Sequence, residues 1–139
     1  MRYYFSLLIF SFSLFLAASC GNSKKATTTK EATPVGKSWT VNSFDASDIR
    51  PDSKALPTMH FEEAGKLSGN TGCNNFSGSY TIQSGKLQLD PGMMTKMFCE
   101  GGVENKFLQA MKKTNRYEIK GDKLLLYDGT TLVMQLTGK

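Results

Sequence analysis

The side chains best suited to chemistry in this 139-residue sequence are three cysteines, one histidine and a knot of methionines. Cys73 and Cys99 stand 26 residues apart, outside any CxxC spacing, and His60 has no HxxxH companion. As free thiols they would offer a Cys–His nucleophile or at most three metal ligands. As an oxidised pair they would close a loop worth about 3.5 kcal/mol in the chain-entropy account. The disulfide is the leading expectation; thiol redox chemistry and metal binding through Cys73/Cys99 stay open as alternatives. In an alternating segment Thr58 to Glu62, His60 shares a face with Thr58 and Glu62 and not with Met59 and Phe61, so it is expected at the surface. Glu62 and Glu63 are adjacent, hence on opposite faces, and cannot act as the paired carboxylates of a glycosidase. Met93, Met94 and Met97 could hold Cu(I) or take up oxidant, but as adaptable apolar side chains they are expected to pack in the core beside Cys99. Asp45, Asp48 and Asp52 surround Arg50 without the regular alternation or closing Glu of a calcium loop, and read as a solvated loop. This inventory predicts no catalytic residue, no metal and no cofactor.

The third cysteine sits differently. Residues 1–19 open with Met1-Arg2, continue as an apolar run from Tyr3 to Leu16 and end in Ala17-Ala18-Ser19, immediately before Cys20. The run is too short to span a bilayer as a helix and reads as a signal peptide. The small residues before Cys20 resemble the lipobox of bacterial lipoproteins, which implies acylation of Cys20 and cleavage in front of it. Lipid on Cys20 would leave Cys73 and Cys99 as an even pair in an oxidising compartment. Residues 20–35 are small and polar and read as a flexible tether, with Lys24, Lys25 and Lys30 against Glu31. Of the net charge of +5, the remainder from residue 36 onward carries a nearly balanced share. That balance excludes a nucleic-acid footprint. The expected partner is therefore the membrane, through Cys20. No acid follows Cys20 directly, so the expected location is the outer membrane, facing the periplasm.

From Gly36 to Lys139 the hydrophobic period is two. Phe76, Gly78, Tyr80 and Ile82 alternate with Ser77, Ser79, Thr81 and Gln83; Leu87 and Leu89, then Tyr117 and Ile119, repeat the pattern. Turn signals at Ala64-Gly65, Ser84-Gly85, Gly121-Asp122 and Asp128-Gly129 separate such runs. One segment departs: Val103, Phe107, Leu108 and Met111 form a helical stripe, with Glu104 near its start and Lys112-Lys113 at its end. The expected fold is mainly β, an antiparallel, barrel-like sheet of about eight short strands with a single covering α-helix.

One ordered set of residues resembles the META domain, the family of the HslJ-type heat-shock lipoproteins. It comprises Gly69, Gly72, Cys73, Asn74, Phe76, Gly78 and Tyr80, then Met93, Thr95, Met97 and Cys99, with Trp39 ahead and the Leu-Leu-Leu-Tyr-Asp-Gly hairpin behind. The resemblance covers residues 36 to 137 and implies a small β-barrel-like envelope domain tied to stress responses, without an established catalytic activity. Gly72, Asn74 and Gly78 are expected to serve backbone geometry, as residues that tolerate left-handed conformations or close approach.

Together these observations predict a non-enzymatic, lipid-anchored envelope protein, monomeric, that binds an undetermined protein or small molecule. The alternative is a small-ligand carrier using the barrel interior. It requires that Trp39, Phe61, Phe76, Tyr80, Phe107 and Leu108 leave that interior open.

Overall fold

The computed structural model describes residues 32–48, 56–100 and 102–139. The signal peptide, Cys20 and the tether as far as Glu31 lie outside the described residues, as do residues 49–52 of the Asp45–Asp52 loop. The strands are β1 (Ser38–Phe44), β2 (Ser47–Asp48), β3 (Thr58–Phe61), β4 (Lys66–Asn70), β5 (Asn75–Gln83), β6 (Lys86–Met94), β7 (Arg116–Lys120), β8 (Lys123–Asp128) and β9 (Thr131–Gly138), with helix α1 (Val103–Lys113) between β6 and β7. Neighbours pair antiparallel in the order β1-β3-β4-β5-β6-β7-β8-β9, and β9 returns to β1, so eight strands form one ring-like sheet around a shared interior. β2 is a two-residue addition to β1 across the Asp45-Ala46 turn, where both residues have positive φ. It places part of the segment read as a plain loop into the sheet.

Period-two alternation does what the sequence predicts. Trp39, Val41, Met59, Phe61, Leu67, Leu87, Leu124, Leu126, Met134 and Leu136 are all fully buried or within 1% of it. The stripe on α1 adds Phe107, Ala110 and Met111, with Val103 and Leu108 partly buried against the same core. Phe76 meets Phe107 at 5.7 Å between ring centroids, and Phe61 meets Tyr80 edge-on at 5.1 Å. Packing reaches back to Pro34, whose carbonyl accepts the Trp39 indole N–H at 2.9 Å. Closure removes the edges an open sheet would expose.

The turns fall where the signals lie, with one shift of a residue. Ser84 and Gly85 both have positive φ, as a tight primed hairpin requires. In the last hairpin Asp128 pairs with Thr131, so the turn is centred on Gly129-Thr130 and not on Asp128-Gly129.

The ring is weakest between β6 and β7, which share one register pair, Lys86 with Arg116. Leu87 N–H extends the seam by donating to the Asn115 carbonyl at 3.1 Å. Beyond that point β6 has no strand neighbour on its β7 side, and Pro91 lies in that stretch, as proline does along sheet edges. Opposite it, Gly78 is a close-approach glycine: a Cβ would stand 2.0 Å from the Asp90 carbonyl oxygen. A bulge follows. Phe76 pairs with Met94 but Ser77 pairs with Gly92, which leaves Met93 as the extra residue of β6.

Gly78→Ala should therefore destabilise the fold by about 3 kcal/mol, the upper range for an overpacked site, because backbone and not a flexible side chain fills the space. Urea denaturation of the oxidised protein checks this; an unchanged midpoint would mean that β5 and β6 are not so closely apposed.

Candidate functional site

Antiparallel order sends all connections to two ends of the ring. One end holds the turns at 62–65, 84–85 and 121–122, together with the start of β1 and the end of β9. The other holds the β1–β2 turn, the 71–74 loop, the 95–102 loop with α1, and the 129–130 turn. Most motif residues gather at this second end.

Cys73 and Cys99 are joined by a disulfide, with Cα atoms 5.9 Å apart. Beside it lies Asn74, 2% exposed, whose amide uses every hydrogen-bonding site it has. Its Oδ1 accepts the Thr95 hydroxyl at 2.8 Å and the Met97 N–H at 2.7 Å. Its Nδ2 donates to the Met97 carbonyl at 3.1 Å and to the Glu104 carboxylate at 3.0 Å. Asn74 thus ties the loop after β6 and the first turn of α1 to the loop after β4. Asn74 is absent from the positive-φ residues, so the expectation that it serves a left-handed backbone is corrected: its work is done by the side chain. Gly72, at φ 91°, does have that backbone role.

Around Asn74 the loop knots on itself. Thr71, fully buried, donates its hydroxyl to Glu104 and accepts the Asn74 N–H at 2.9 Å. The Asn70 side chain accepts the Gly72 N–H at 2.7 Å. Thr95 accepts the Asn75 N–H at 3.2 Å. Glu104 anchors the helix side: the residue at the N-cap of α1 is Gly102, which offers no capping side chain, and Glu104 in the first turn takes up Thr71 and Asn74 instead. Sequence reasoning assigned Glu104 only to the helix dipole and did not single out Thr71 or Asn70. The available signal was Asn-Thr-Gly-Cys-Asn, a run of residues that bond their own backbone around a glycine.

The remaining motif residues serve packing. A Cβ on Gly69 would lie 2.0 Å from the Thr58 carbonyl oxygen. Phe76 is in the core, and Tyr80 is buried while its hydroxyl donates to the Glu62 carbonyl at 2.7 Å. Burial, helped by the Glu63 charge, raises the Tyr80 pKa above its ordinary value. Met97 contributes its backbone; its side chain is 58% exposed, and Met93 is 81% exposed. The expected core packing of Met93 and Met97 is therefore corrected. The β6 bulge turns Met93 outward, and Asn74 holds Met97 by its main chain alone. Met94, opposite Phe76, is the one of the three packed against the core.

His60 is exposed on β3, as expected, with Nε2 2.8 Å from the Ser38 hydroxyl at the opposite end from the disulfide. Among the described residues no three His, Cys, Asp or Glu side chains gather as a metal site. Trp39, Phe61, Phe76, Tyr80 and Phe107 fill the ring, with Leu108 partly buried against them, which removes the open interior the carrier reading required. Two solvent-open clefts lie outside it, one of about 480 Å³ beside β6 and the end of α1, another of about 220 Å³ between α1 and the β1–β2 turn. On β7, Lys120 and Arg116 donate to Glu118 at 2.8 and 2.6 Å and hold its carboxyl down to about 2. The Glu118 side chain is 35% exposed, so this cluster adds a small, screened stabilisation, complete above the ordinary carboxylate range and lost as pH falls towards 2.

The META domain model matches residues 31–139. The chain belongs to the META domain family. No curated protein matches it. Solved structures do. The NMR structure of a protein from Burkholderia xenovorans has TM-score 0.63 and 19% identity, covering 85% of this chain and 96% of that one. A second NMR structure has TM-score 0.59 and 22% identity, covering 76% and 94%. A DUF4847 family protein from Bacteroides vulgatus has TM-score 0.58 and 15% identity, covering 75% and 93%. At these identities the likeness is one of fold. The META motif of this chain thus divides into a knot at one end of the ring, around Asn74 and Cys73–Cys99, and close-packing positions at Gly69, Phe76, Gly78 and Tyr80.

Replacing Asn74 tests the knot. Asn74→Ala should cost about 3 kcal/mol, since it leaves the partners of a buried amide unpaired. Asn74→Asp, which sets a second carboxylate against Glu104, should fare no better at neutral pH. Denaturation midpoints of the oxidised variants decide, and a change below about 0.5 kcal/mol in both would sink the assignment.

Proposed function

We propose that this protein is a non-enzymatic envelope lipoprotein, anchored by acyl chains on Cys20 in the outer membrane and facing the periplasm. Its META domain serves as a binding or envelope-maintenance module under stress. The observation that carries this reading is the Cys73–Cys99 disulfide. It uses the two domain cysteines, as suits an oxidising compartment, and leaves Cys20, at the end of an apolar leader, as the odd one of three. The motif chemistry supports a binding role. Asn74, Thr71, Thr95 and Glu104 bond one another and hold loops in shape, which is how a rigid scaffold presents a surface.

Intact mass of the protein extracted from membranes tests the anchor. The expected species begins at Cys20, carries two or three acyl chains, and yields two alkylatable thiols only after reduction. An unlipidated chain with free thiols at Cys73 and Cys99 would overturn the reading and favour thiol or metal chemistry.

A further inference from the structure

The large hydrophobic side chains exposed among the described residues are Leu56, Met93, Met97 and Phe98, and all four lie at the end of the ring that carries α1. Leu56 precedes β3, Met93 is the bulged residue near the end of β6, and Met97 and Phe98 follow in the 95–100 loop. Phe98 is 92% exposed. It stands between two fixed points: Asn74 grips both the N–H and the carbonyl of Met97, and the disulfide fixes Cys99. The loop therefore cannot turn Phe98 inward without breaking those bonds. A tethered loop that holds an aromatic ring in water is built for an occupant other than water.

We propose that this end of the ring docks on a lipid bilayer, with Phe98, Met97 and Met93 entering the headgroup–acyl boundary. The proposal rests on the lipid-anchored reading of Cys20. Three features select a bilayer. The apolar residues sit on a projecting bulge and loop, a shape that enters a soft interface. Lys96 lies among them, and no acid falls between Asp90 and Glu100, which suits anionic headgroups. The chain outside the described domain is also long enough. From Cys20 to Ala32, where the described domain begins, it can reach at most about 40 Å. The longest strands, nine residues each, measure about 30 Å before tilt. The anchored domain can therefore lay its far end against the membrane, and tethering keeps the bilayer at high effective concentration, so a small patch suffices.

The test replaces the lipid by a tag. Residues 21–139 with an N-terminal hexahistidine are held on phosphatidylethanolamine–phosphatidylglycerol vesicles containing nickel-chelating and brominated lipids. Phe98→Trp reports from the proposed face and Lys86→Trp from the opposite end, with buried Trp39 as a common background. The expected result is a blue-shifted Phe98→Trp signal that brominated chains quench strongly, while Lys86→Trp matches the parent. Equal, weak quenching of both reporters would overturn the proposal. So would a sedimenting dimer in which Phe98→Trp is shielded without vesicles, since a second copy would then cover the patch. Because the tag supplies attachment, this outcome is independent of whether Cys20 proves to be acylated, which intact mass reads separately.

Discussion

The Asn74 side chain is the interaction on which the far end of the ring depends. A primary amide offers two donors and two acceptor positions, and here all four are used on three residues: the Thr95 hydroxyl, both backbone groups of Met97, and the Glu104 carboxylate. In a buried setting such a group stabilises only when fully satisfied, and it then specifies one arrangement of its neighbours. The disulfide acts on the same loops by a different route, through the entropy of the unfolded chain. One device sets the geometry of the native loop, and the other reduces the freedom the loop has to lose.

The need for that device follows from the sheet. Eight strands close into a ring, but β6 and β7 meet at one register pair, and the chain between them must leave the sheet, form α1 and return. A helix laid over an incomplete seam covers an edge that would otherwise be open to pairing. It also requires a long excursion from Met94 to Arg116, the part of the domain furthest from ladder hydrogen bonds. The knot of Asn74, Thr71, Thr95 and Glu104 fastens both ends of the first half of that excursion. The same fastening leaves Met97 and Phe98 facing water.

Much of this was legible in the sequence because its periods are physical. Alternation along β5 and β8–β9 reports which residues face a shared interior, and the stripe Val103, Phe107, Leu108, Met111 reports a helix with one buried face. The ring of eight strands and the Cys73–Cys99 pair followed from such patterns and from cysteine parity. Alternation cannot report a bulge, however: one extra residue in β6 reverses the side on which Met93 falls, and so this methionine, read as core, is at the surface. Nor does composition reveal how an amide is used. Asn74 among glycines looks like a turn residue, and only the meeting of loops distant in sequence shows that its side chain is the joint.

The central claim is that Asn74 holds the loop after β6 by its main chain. Amide hydrogen exchange at Met97, read by NMR on the oxidised protein, tests it most directly. If the account is right, the Met97 N–H, bonded to Asn74, exchanges as slowly as amides in the sheet, while its neighbours at Lys96 and Phe98 exchange fast. If Met97 exchanges at the rate of Lys96 and Phe98, the loop is not held by Asn74, and the account of this end of the ring is wrong.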